Sequence, residues 1–296
     1  MAFANIVSGT AIALWLLQNL GSTIAVAGYR YGLPGPDAPA SEPNVAVILP
    51  VRGAANLAGH LRLLRAQKYG RYRIIASVES REDPAFAVLS EVQRESGAPL
   101  EVTVAGLARD AGQKVVNQLA ALERLKPDDA IVAFIDADAL PTPLWLPRLV
   151  AVLINSRKPL ATGYRWMTPA DDRLSSCCLA AANDAVAALP RGALPLMIVW
   201  GGSVAVKRET LEAIRLEDFW RGAISDDLQM AEALRQAKLL AHAPRQALLL
   251  TPVSCSWRGF SPSACVNTAS SGFTSGRTGR SPSPVCGRRR SAWRWR

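Results

Sequence analysis

The chain has 296 residues, 49% hydrophobic and 20% charged, enough for one sizeable core with appendages, which excludes a small stapled scaffold and wholesale disorder. The net charge of +10 would suit nucleic acid, but it is unevenly placed: residues 255–296 hold 8 Arg, no Lys and no acid, whereas the preceding 254 residues hold 26 basic and 24 acidic side chains. The body is nearly neutral, so specific nucleic-acid binding is not expected of it.

Residues 1–29 carry no charge, and 6–27 are mostly Ala, Val, Ile and Leu with Trp15. About 20 such residues span a bilayer. Arg30 lies between Tyr29 and Tyr31 as an interfacial edge, and Pro34, Pro36 and Pro39 stop any helix. A secretory signal peptide would have a basic start and a shorter apolar core. The expectation is a transmembrane signal anchor over 1–30 and a Pro-rich linker over 31–43. Arg30, after the span, places the rest in the cytoplasm, at the plasma or inner membrane if the source is bacterial. Asn5, Gln18 and Asn19 leave a helix buried in a soluble core as the alternative.

Beyond the linker, residues 45–49 form a short apolar run ending at Pro50, and 57–67 have apolar residues at helical spacing. Strand 73–78, helix 83–95, strand 101–105, helix 113–125 and strand 130–135 follow in turn. Strands alternating with helices imply an α/β fold with a mostly parallel sheet flanked by helices. Ligands of such sheets bind at the carboxyl ends of the strands. Of five cysteines, Cys177 and Cys178 are adjacent and Cys255, Cys265 and Cys286 fall in the basic tail. With only two His, no pair has metal-ligand or redox spacing, which speaks against zinc and a disulfide framework.

Acidic residues follow the strands. Phe134-Ile-Asp136-Ala-Asp138 runs from a buried strand into two carboxylates, which an extended backbone would place on one face. Their repulsion is relieved by a cation between them, and Mg²⁺ or Mn²⁺ would also hold a diphosphate; the other reading is a solvated turn. Ser225-Asp226-Asp227 precedes a helical pattern over 228–240. Ser225 or Asp226 suits an N-cap, and Asp227 is either a further capping group or a general base. Glu79 and Asp83 follow the second strand; Asp83-Pro84 makes a good helix start, and a carboxylate here could instead accept hydrogen bonds from a nucleobase or ribose.

These pieces in this order resemble the family 2 glycosyltransferases of GT-A fold, especially the membrane-bound ceramide glucosyltransferase-like branch. The matching strings are Val47-Ile-Leu-Pro-Val-Arg-Gly53, Val78-Glu-Ser-Arg-Glu-Asp-Pro84, Gly112-Gln-Lys-Val-Val-Asn117, Phe134-Ile-Asp-Ala-Asp138, Trp200-Gly-Gly-Ser203 and Ser225-Asp-Asp227, giving a domain over 44–258. The resemblance implies an inverting transfer of a sugar, glucose-type favoured, from a UDP-sugar to an acceptor hydroxyl, with a lipid favoured as acceptor. By the same resemblance Pro50 and Val51 line the uracil pocket, Glu79 or Asp83 contacts uridine, and Lys114 lies near the diphosphate. Asp136 and Asp138 hold Mg²⁺ or Mn²⁺, Gly201 and Gly202 let the chain pass close to the donor sugar or acceptor, Asp226 adjoins the substrate and Asp227 is the base. The alternative is an inactive relic or a nonenzymatic membrane paralogue that binds a partner.

The sequence departs from that family after Trp257. Where the family continues to an Arg/Gln-x-x-Arg-Trp motif and further membrane helices, residues 259–296 are rich in Ser, Gly, Pro and Arg, with Val266 and Val285 the only large aliphatics. Such a segment buries too little apolar surface to order itself, so a disordered tail is expected. Its composition fits a basic RNA- or lipid-binding extension, and fits better GC-rich DNA translated in a shifted frame.

Overall fold

The computed structural model describes residues 9–10, 12–21, 38–95, 99–187 and 199–257. Helix α1, described over 12–21, is exposed along its length. Among the described residues no helix is long and apolar enough to cross a membrane. Most of the anchor expected over 1–30 lies outside the described residues, as does the tail expected to be disordered from 259 onward.

Strands and helices alternate as β1 (Val45–Pro50), α2 (Leu57–Arg65), β2 (Tyr72–Val78), α3 (Pro84–Arg94), β3 (Leu100–Val104), α4 (Gln113–Leu122) and β4 (Ile131–Ile135). Then come α5 (Trp145–Asn155), β5 (Leu160–Thr162), β6 (Tyr164–Pro169), α6 (Leu174–Ala187), β7 (Ser203–Lys207), α7 (Arg208–Ala213), α8 (Leu216–Trp220), α9 (Asp226–Gln236), β8 (Ala241–His242) and β9 (Leu248–Val253). Seven strands form one sheet in the order β3-β2-β1-β4-β7-β5-β8, and β6 pairs with β9 in a second, two-stranded sheet. Strands β3, β2, β1 and β4 are mutually parallel, while β7 runs antiparallel to β4 and β5. The carboxyl ends of β1, β2 and β4 therefore meet the amino end of β7 on one edge. Ile135 stands opposite Ser203 there.

β1 is apolar throughout because both its faces are covered. Val45, Val47 and Leu49 join a core with α2, α3 and α5, whereas Ala46 and Ile48 join another with α4, α8 and α9. Trp145, Trp200 and Trp220 are fully buried, and each supports the edge where the carboxylates gather. The Trp145 indole N–H donates to Ser203 Oγ at 2.9 Å, and that of Trp220 donates to the Asp226 carbonyl at 3.0 Å.

Candidate active site

β1 ends in a loop that helix α3 holds in place. Asp83 caps α3, accepting from the Ala85 N–H at 2.7 Å with Pro84 in the first turn, and also accepts from the Gly53 N–H at 2.9 Å. Gly53 has φ +72, a conformation that suits glycine. Asp83 is thus a buried structural clamp, and its oxygens are taken by backbone donors. Glu79 is the more accessible carboxylate of the two, 3.6 Å from Arg52. Val51 is 2% exposed and Pro50 is also buried. The Val51 carbonyl accepts from Asn117, which also bonds the Ser77 carbonyl, stapling β1 and β2 to α4.

After β4 the chain turns at once, with the Ala139 N–H donating to the Asp136 carbonyl at 3.1 Å. The extended geometry expected for Asp136 and Asp138 is replaced by this turn, because β4 ends at Ile135 where its pairing with β7 stops. Asp136 is consequently buried and Asp138 exposed. The cation shared by the two carboxylates is Arg165 of β6, 3.2 Å from Asp138 and 3.9 Å from Asp136.

Lys114, in the first turn of α4, lies 2.7 Å from Asp136 and 2.9 Å from Asp226. Burial works against its charge, but the two carboxylates prevail and raise its pKa far above the usual lysine range. Burial pushes the Asp136 carboxyl up; Lys114 opposes that, and Asp138 and Asp226 reinforce it. Gln118, one turn along from Lys114, donates to Asp226 at 3.0 Å.

α9 begins two residues earlier than the apolar pattern indicates, since Ser225 is its N-cap and accepts from the Leu228 N–H at 3.4 Å. Both acids thus lie in the first helical turn, where the helix dipole favours negative charge. Asp226 is no cap: its side chain points into the protein onto Lys114. Asp227 is half-buried at the surface, its Oδ1 accepting from the Leu228 N–H at 2.9 Å and from the Ser225 hydroxyl. The close approach at Gly201 and Gly202 is made to these carboxylates. A Cβ on Gly201 would strike Asp226, and one on Gly202 would strike Asp136 and the Trp200 ring.

The structure therefore gathers Lys114, Asp136, Asp138, Gly201, Gly202 and Asp226 into one cluster, with Asp227 beside it. Pro50, Val51, Glu79 and Asp83 lie at the neighbouring strand ends. Sequence reasoning missed Arg165 and Gln118. An arginine between two aromatic residues in the strand Tyr164-Arg165-Trp166 signals a paired charge, and Gln118 shares a helix face with Lys114 at i,i+4.

This edge, with carboxylates at the ends of a mostly parallel sheet, defines a GT-A type protein. Residues 43–250 match the family described as "Glycosyltransferase like family 2". The chain belongs to that family and is a glycosyltransferase. Among solved structures it is similar to a mannosyltransferase from Pyrobaculum calidifontis in complex with GDP-Man and Mn²⁺, at 20% identity and TM-score 0.56, covering 83% of this chain and 68% of that one. It is also similar to S. aureus TarS in complex with UDP-GlcNAc, at 11% identity and TM-score 0.50, covering 72% of this chain and 59% of that one. Both likenesses are of fold, and the chain spans roughly three fifths of the TarS chain's length. No curated protein matches the sequence.

Among the described residues no cluster of three or more His, Cys, Asp or Glu could hold a metal unaided. Mg²⁺-like ions are commonly held by one or two carboxylates together with substrate phosphates and water. Asp136 and Asp138, adjacent at a strand end with Asp138 exposed, fit that requirement.

Proposed function

We propose that the protein is a membrane-anchored, inverting glycosyltransferase that moves a sugar, glucose-type favoured, from a UDP-sugar to the hydroxyl of a lipid acceptor. The observation that carries the reading is the convergence of Asp136 and Asp226, 90 residues apart in sequence, on the single ammonium of Lys114, with Asp227 beside them. The nucleotide sugars held by the two similar structures, GDP-Man and UDP-GlcNAc, support a nucleotide-sugar donor. The UDP form, the glucose-type sugar and the lipid acceptor rest on the resemblance to the ceramide glucosyltransferase-like branch. The membrane anchor and cytoplasmic placement rest on the uncharged stretch over 1–29.

In this mechanism Asp227 takes the proton of the acceptor hydroxyl. The hydroxyl oxygen bonds to the anomeric carbon from one side as the bond to the diphosphate oxygen breaks on the other, so the configuration inverts and the diphosphate leaves with the electron pair. Among the described residues both hydrogen bonds to Asp227 fall on Oδ1, and Oδ2 keeps its lone pairs for the proton. Lys114 holds Asp136 in register. Asp136 and Asp138 would hold Mg²⁺ or Mn²⁺, which would supply Lewis-acid stabilisation of the leaving diphosphate.

Titrating the detergent-solubilised full chain with UDP and Mn²⁺ tests the assignment. Asp138→Asn should weaken UDP binding in the presence of Mn²⁺ by about tenfold or more through loss of a ligand charge. Asp227→Asn should leave it nearly intact and reduce transfer at least about a hundredfold. Identical UDP binding by the two variants would defeat the division of labour, and a folded wild-type chain without metal-dependent UDP binding would defeat the enzyme mechanism.

A further inference from the structure

Arg165 is 5% exposed, and its guanidinium lies 5.3 Å from the Trp200 ring centroid in a cation–π contact. Its carbonyl is fixed by a hydrogen bond from Asn183 at 2.9 Å. Only Nη2 engages the carboxylates, reaching Asp138 Oδ2 at 3.2 Å and Asp136 Oδ2 at 3.9 Å. Its Nε is buried with no hydrogen-bond partner among the described residues, and so is the neighbouring Trp200 Nε1. A guanidinium has five N–H donors in a planar fork that suits phosphate oxygens. This one lies beside Asp136 and Asp138 with its Nε–H unused among the described residues.

Charge balance gives that geometry a consequence. Asp136, Asp138 and Asp226 surround two cations, Lys114 and Arg165, so the cluster carries one excess negative charge. A dication entering alone would lie against Arg165 and leave the cluster positive. A dication entering with a diphosphate brings compensating anionic charge, and the phosphate oxygens give the guanidinium a new partner.

We infer that Arg165 makes metal binding depend on the donor diphosphate. It neutralises Asp138 and Asp136 while no donor is present and turns its unused N–H donors to the diphosphate when one arrives, releasing both carboxylates for the metal. The inference rests on the metal-dependent reading proposed above.

Mn²⁺ binding to the full chain in detergent, followed by the electron paramagnetic resonance of free Mn²⁺ with and without UDP, provides the test. In the wild type, UDP should tighten Mn²⁺ binding about tenfold or more. Arg165→Met removes the competing charge, so Mn²⁺ alone should bind about tenfold tighter than to wild type, and the enhancement by UDP should fall below about threefold. A role in packing alone against Trp200 would leave both quantities as in wild type, and that result overturns the inference. Should near-ultraviolet circular dichroism show the Met variant unfolded, Arg165→Lys decides. Lysine keeps the charge but not the fork, so Mn²⁺ alone should stay weakly bound while most of the UDP enhancement disappears; a full enhancement overturns the inference. A wild-type chain that binds no Mn²⁺ under either condition overturns the metal-dependent reading itself, an outcome distinct from an unaltered variant beside a metal-binding wild type.

Discussion

Gly202 has its backbone against the Asp136 carboxylate and the indole of Trp200, and the latter is locked in the core. Neither neighbour is the free end of a flexible side chain, so a methyl group there must move the site. Gly202→Ala should destabilise the protein by about 1–3 kcal/mol, the usual cost of overpacking, measured by denaturant unfolding; an unchanged midpoint would show that the turn relaxes freely. His60 belongs to the same scale. Its Nδ1–H donates to the Ala139 carbonyl at 2.7 Å, just after Asp138, while Nε2 is buried without a partner among the described residues. Burial lowers its pKa, against weaker opposing pulls from the Ala139 carbonyl and Asp138. Below the unfolded value of about 6.5 the unfolded chain then binds more protons than the folded one, and stability falls as pH falls. Unfolding free energies measured from pH 7.5 to 5.5 should show this loss in wild type and a smaller one in His60→Gln. Equal slopes would remove His60 as the cause.

At the scale of elements, chemistry is concentrated in helix starts. Lys114 lies in the first turn of α4, Asp226 and Asp227 lie in the first turn of α9, and Asp83 caps α3. The Gly112 N–H donates to the Ala223 carbonyl at 2.8 Å, joining the entry of α4 to that of α9. This junction brings Lys114 within reach of Asp226. Asp83→Ala should cost about 1–3 kcal/mol, because it removes a helix cap and leaves the Gly53 N–H without its acceptor. It should also weaken UDP binding by freeing the loop after β1. A variant with wild-type stability would mean that water replaces both bonds. Asp83 as a helix start was legible from Asp-Pro at the end of a strand, since a cap is a local interaction. Its clamp on Gly53 was not, since that bond crosses 30 residues.

At the scale of the whole molecule, two apolar cores cover opposite faces of the seven-stranded sheet, and a small third cluster lies around Met167, Leu179 and Ala180. Among the described residues, the members of the three fall between Val45 and Cys255. Residues 259–296 have only Val266 and Val285 as large aliphatics and can bury little apolar surface, so deleting them should shift the thermal midpoint by no more than about 2 °C, less than the change expected for 1 kcal/mol in a domain of this size. A larger fall would place part of the stabilising core in the tail.

The sequence alone determined the alternation of strands and helices, the placement of Asp136 and Asp138 at a strand end, and the helix start near Ser225. Each of these rests on periodicity or capping within a few residues, where local sterics and hydrogen bonds decide. The tertiary structure decided that β7 enters antiparallel between β4 and β5, that Asp226 and not Asp227 takes the buried place on Lys114, and that Arg165 stands beside Asp138. Those outcomes depend on strand order and on the close approach allowed by Gly201 and Gly202. A buried charge settles where a partner from elsewhere in the chain can reach it, and only the folded arrangement brings that partner to between 2.7 and 3.9 Å.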